Sequence, residues 1–162
     1  MHPELKNYPF LKEVIGLYFL LSSWQDNIND SIKLPEKEID KILKKNLSFV
    51  KQVVNAIRFP LQGICSEISF EIIKEKTPAF AQEWKGFQYL AHTIIYAMEI
   101  QNLNFRNSED IKKCHDYTIS IIYSLLSYYH ESSTKGLSND LLAWIKNDVH
   151  IDIDALSLSS GH

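Results

Sequence analysis

Apolar side chains recur at steps of three and four along almost the whole chain, and the five prolines fall between these runs rather than inside them. Steps of three and four place side chains on one face of an α-helix, whereas a half-buried strand needs strict alternation. A proline within a helix removes a backbone hydrogen bond and clashes with the carbonyl four residues back, so prolines between periodic runs mark helix boundaries. The two facts together confine the fold to a succession of helices.

Six helices follow from this pattern. The first covers about 9–25, with Phe10, Val14, Leu17, Leu21 and Trp24 on one face, and Ile15, Phe19 and Leu20 widen its apolar surface. It should therefore be buried on several sides. The second, about 35–57, opens on Pro35, where the missing N–H costs nothing. It should bury Ile39, Ile42, Leu43, Leu47, Val50 and Val54 and expose Lys37, Lys41, Lys44, Lys45 and Lys51. Pro60 should end it, and a third helix, about 61–76, packs through Ile64, Ile68 and Ile72. Thr77 and Pro78 cap and start a fourth, about 78–101, whose apolar content suits the central helix. Asn107 or Ser108 caps a fifth, about 109–131, and Ser138 a short sixth, about 139–147.

The expected fold is all-α. It is a single-domain antiparallel bundle of about six helices over residues 1–148, with an extended acidic tail at 149–162 that forms no separate domain. A chain of 162 residues can bury roughly 70% of its unfolded surface, enough for a core without metal or disulfide. Short connections make neighbouring helices antiparallel.

The tail departs from the helical period. In "VHIDID", Val149, Ile151 and Ile153 alternate with His150, Asp152 and Asp154, as in a half-buried strand. The same region holds all of the net charge of −3: residues 138–162 carry Asp140, Asp148, Asp152 and Asp154 against Lys146, and the remainder is balanced. Three placements are open for the tail. It can lie across its own bundle with the apolar residues in a groove, it can be mobile, or it can serve an outside partner. The most basic stretch is at 33–51, with six lysines against three acids.

Several function classes lose support. Arginine occurs only at 58 and 106, whereas specific nucleic-acid readout leans on arginine forks. The longest apolar run, "VIGLYFLL", has eight residues where a bilayer span needs about 20, so no membrane partner is expected. The polar amino terminus has no signal-peptide pattern, and Cys65 and Cys114 lack the paired spacing of zinc or redox motifs; a cytoplasmic protein with free thiols and no cofactor is expected. The Lys, Ile, Asn and Ser bias points to an A/T-rich bacterial or phage genome.

Candidate chemistry is sparse. Lys85, Gln88, His92, Tyr96 and Glu99 form one polar stripe on the fourth helix, either a site with His92 as base or ligand or simply a wet face. Glu67, Glu71 and Glu75 line one side of the third helix, but the Glu-x-x-His pair of helical di-metal proteins is absent. Cys114, His115 and Asp116 are consecutive, so on a helix they point about 100° apart and cannot form a triad. No glycine-rich phosphate loop occurs.

The expected function is a non-enzymatic protein-binding module, most concretely a bacterial immunity or antitoxin-type inhibitor of a basic toxin. Its partner-binding residues are expected at Asp148, Asp152, Asp154, Tyr128 and Tyr129, with charge and interface tyrosines supplying the recognition. A homodimer through the tyrosine-rich fifth helix is a further possibility. The alternative is a helical-bundle metal-dependent enzyme using Glu67, Glu71, His92, Glu99 and His115.

Overall fold

The computed structural model describes residues 1–25, 35–61, 87–105, 108–132 and 137–151. The expected third helix with Ile64, Glu67 and Glu71, the first part of the fourth, and Asp152 and Asp154 lie outside them. Five α-helices are described: α1 Pro9–Gln25, α2 Glu36–Leu61, α3 Phe87–Gln101, α4 Ser108–Ser132 and α5 Asn139–Trp144. A 3-10 turn, Pro3–Asn7, precedes α1, and a π-helical turn, Ile145–Val149, continues α5.

The four long helices close a ring, in which α1 packs on α2 and α4, and α3 packs on the same two. Side-chain contacts give the register. Phe10 meets Phe49 and Glu13 reaches Lys45, so α1 and α2 run antiparallel. Asn46 donates to the Ala97 carbonyl while Gln101 donates to the Leu43 carbonyl, so α2 and α3 run antiparallel as well. Tyr18 stacks near His115 and the Phe10 amide meets Tyr129, which sets α4 against α1 in the same sense.

The core is filled from all four walls by Leu11, Val14, Ile15, Leu21, Ile42, Val53, Leu90, Ile94, Ile121, Ile122, Leu125 and Leu126. As expected for α1, burial covers several sides, with Leu11, Val14, Ile15, Leu17, Tyr18 and Leu21 all withdrawn from water. Among the described residues no helix is central in the ring, and α3 forms one wall of it.

Two expectations for α2 are corrected. Its buried face is centred on Ile42, Asn46, Phe49 and Val53, at steps of four, three and four, and Leu47 points well away from it and is 45% exposed. Pro60 does not end the helix, which runs to Leu61. The helix closes one residue beyond the proline, so the backbone bond that proline cannot make falls in the closing turn and not in the helix interior.

Buried polar groups are few. The hydroxyls of Thr93 and Thr118 each donate to a carbonyl of their own helix, Leu90 and Cys114, at 2.6 Å. Asn46 Nδ2 donates across to Ala97 at 2.7 Å, but its Oδ1 has no partner. With Gln101 reaching back at 2.9 Å, two amides tie α2 to α3. Such bonds form at one axial offset only, so they fix register where apolar contacts alone would tolerate sliding.

The α3–α4 connection contains Phe105 in the left-handed region, at φ 53°. A bulky residue there is strained, yet Phe105 is 2% exposed, and burial of its ring offsets the strain.

Candidate functional site: the joined chain ends

The amino-terminal turn was not anticipated; the polar start of the chain gave no periodic signal. His2 caps it, its Nδ1 accepting the Glu4 amide at 3.1 Å with Pro3 next, where a donor is not needed. On the other side Ser138 caps α5, its Oγ accepting the Leu141 amide at 3.1 Å as the sequence led one to expect.

The two caps clasp one another. Ser138 donates its hydroxyl to Glu4 Oε2 at 2.6 Å, and His2 Nε2 lies 3.0 Å from Asp140 Oδ2. Because Nδ1 accepts, the neutral ring carries its proton on Nε2 and donates it to Asp140. Trp144 then lies between His2 and Phe19, with ring centroids 5.8 Å and 6.1 Å away. Leu141, Ile145, Val149 and Ile151 are buried beneath this segment. The carboxy-terminal segment is thus held on α1 and the first turn by a latch of side chains far apart in sequence.

His2, Glu4 and Asp140 also offer ligand atoms within 4.8 Å of one another, the only group of three among the described residues that could hold a cation. The chemistry of His2 sets a cost on that use. A metal at Nε2 needs the proton on Nδ1, which would then face the Glu4 N–H donor to donor and break the cap.

The tail begins differently from the expectation. Val149 belongs to a helical turn, one residue beyond the boundary at 148, so "VHIDID" does not start as a strand. Leu141, Ile145 and Val149 recur at steps of four, and this helical series overlaps the alternation of Val149 with Ile151. His150, left-handed at φ 60°, makes the turn that brings Ile151 back to the surface of the bundle. Asp148 and Asp140 point outward, Asp140 with 83% of its side chain exposed.

Tyr129 has an internal task. Its hydroxyl accepts the Phe10 amide at 3.3 Å, one of the donors at the start of α1 that no helical carbonyl can reach. Its ring meets Tyr8 edge-on at 4.8 Å and Tyr128 at 5.1 Å. Burial is the main cause holding its phenol above the ordinary range. Nothing in the sequence pointed to a tyrosine capping a helix 119 residues away.

The polar stripe lies on the outer side of α3. His92 is exposed, while Gln88, Tyr96 and Glu99 are half-buried, and Tyr96 neighbours Tyr117 of α4 with centroids 6.0 Å apart. Of the residues of the metal-enzyme alternative, His115 turns to Tyr18 of α1, and His92 and Glu99 remain on α3. These three do not come together as a ligand set. Cys114 is fully buried, its thiol pushed up to about 12 chiefly by loss of solvent, opposed by the Thr118 hydroxyl.

No described helix is long and apolar enough to cross a membrane. No protein family, curated protein or solved structure matches the chain.

Proposed function

We propose that the protein is a non-enzymatic binding module, most concretely a bacterial, cytoplasmic immunity or antitoxin-type inhibitor that neutralises a basic toxin by direct contact. The observation that carries this reading is the docked acidic segment. Asp140 and Asp148 are exposed on a short element whose other side is buried, and Asp152 and Asp154 follow in sequence. Carboxylates on a fixed element lose little freedom on binding, and a concentrated negative end speeds encounter with a positive partner. Tyr128, half-buried beside Tyr129, supplies rigid aromatic area.

The test is co-purification from the native host. A stoichiometric basic partner is expected, with affinity falling as salt rises and falling again in Asp148→Asn and in Asp152→Asn plus Asp154→Asn. Capture that is indifferent to salt and to these changes would overturn the assignment.

A further inference from the structure

The outward side of α2 carries Lys37, Lys41, Lys44, Ser48 and Lys51, all exposed. Steps of four, three, four and three align them in one stripe, about 21 Å long at 1.5 Å per residue. Lys41 is paired with Glu38 at 3.3 Å; among the described residues no ion pair engages Lys37, Lys44 or Lys51, and Glu36 and Asp40 are the exposed acids of the same helix. Leu47 stands along the same side, one of two large apolar residues left exposed among the described ones. Neighbouring like charges on a helix repel, so a negative partner laid along this row gains both its own attraction and relief of that repulsion.

The complementary charge is present on the same molecule but out of reach. The segment bearing Asp140 and Asp148 packs on the amino-terminal turn and on Phe19, whereas α2 packs on α1 and α3. No ion pair joins the stripe to either aspartate. Polyanions fit less well: the stripe has no arginine fork for phosphate, and the net charge of −3 repels a nucleic acid or an anionic bilayer at range.

We propose that the α2 lysine stripe is a docking surface for the acidic carboxy-terminal segment of a second copy of this chain. Exchange of the same contact in both directions about a two-fold axis engages both stripes and both acidic ends and closes the assembly at two. Leu47 is covered in the process. The contact is electrostatic and therefore weak and salt-sensitive.

Sedimentation of the purified 162-residue chain tests this without any toxin present, so its outcome is separate from that of the inhibitor reading. At an ionic strength of about 0.02 M the mass should rise from 18.8 kDa toward twice that with concentration, and association should weaken on the order of tenfold at about 0.5 M. Lys44→Glu plus Lys51→Glu should be monomeric, as should Asp148→Lys plus Asp152→Lys, and mixing the two variants should restore a pair through the swapped charges. Lys44, Lys51 and Asp148 take no part in the hydrogen bonds of the His2 latch, and circular dichroism verifies that the variants remain helical. A wild-type monomer at all concentrations in low salt would overturn the proposal. So would association that survives the lysine reversal, or a monomer whose stripe instead retains anionic vesicles or single-stranded DNA.

Discussion

Asn46 offers the most exacting test of how the bundle is held together. Exchange for leucine keeps the branching at Cγ and replaces an amide that is fully buried. The donated bond to Ala97 is lost, about 0.5–1.5 kcal/mol, and the carbonyl there retains its own helical partner. The unpartnered Oδ1 disappears with it, which relieves about 1–3 kcal/mol of desolvation. Two buried methyls contribute most of the value of a leucine side chain, about 1.5–3 kcal/mol. Against this, a methyl cannot sit 2.7 Å from a carbonyl oxygen, and the local shift costs about 1–3 kcal/mol. The balance favours Asn46→Leu by about 1 kcal/mol, a rise in Tm of about 2–4 °C for a chain of this size. Asn46→Asp has the same shape but sets an oxygen against the Ala97 carbonyl and buries a charge, so it should lose about 3–5 kcal/mol at neutral pH. Urea unfolding followed by circular dichroism reads both. If Asn46→Leu lost more than about 2 kcal/mol, or Asn46→Asp less than about 1 kcal/mol, the amide would not be the half-satisfied register lock described here.

Other consequences are more local. Gly16→Ala should stabilise α1 by about 0.5–1 kcal/mol in thermal melts, because the nearest atoms to the added Cβ are the flexible end of Lys45 at 3.1 and 3.2 Å; destabilisation would mean that Lys45 cannot yield. Tyr129→Phe should cost about 1 kcal/mol by leaving the Phe10 amide unmet, and Ser138→Ala about 1–2 kcal/mol, with faster amide exchange in both α5 and the first turn; exchange unchanged in the first turn would sink the latch. Between pH 9 and about 12 the unfolded chain releases its Cys114 proton while the folded chain retains it, so stability is whole below pH 9 and falls above it. The slope approaches about 1.4 kcal/mol per pH unit, Tyr129 steepens it from pH 10 upward, and Cys114→Ala should flatten it in alkaline melts.

How much of this was legible beforehand depended on whether the signal was periodic. The bounds of α1, the end of α3 at Gln101, the span of α4 and the Ser138 cap all follow from apolar spacing and cap residues that act within a few positions of themselves. Leu47 shows the limit of that method. Its spacing fits an apolar face as well as Phe49 does, and only the position of α1 and α3 decides which of the two is covered. The alternation at the tail was a true pattern with a second one laid over it, since Val149 belongs both to Leu141, Ile145, Val149 and to Val149, Ile151. Which series prevailed was settled by the surface on which the segment rests.

The sequence by itself determined that the chain is a helical bundle, where the first and the fifth expected helices begin and end, and that its net negative charge collects in the last residues. These are properties of neighbours along the chain. Only the tertiary structure decided that His2 and Glu4 meet Ser138 and Asp140, that Tyr129 caps α1, and that Asn46 lies in the middle of a buried face. Each of those pairs residues between 51 and 138 positions apart, and a hydrogen bond across such a separation leaves no period in the sequence, only polar side chains whose partners, side chain or backbone, are chosen when the helices close.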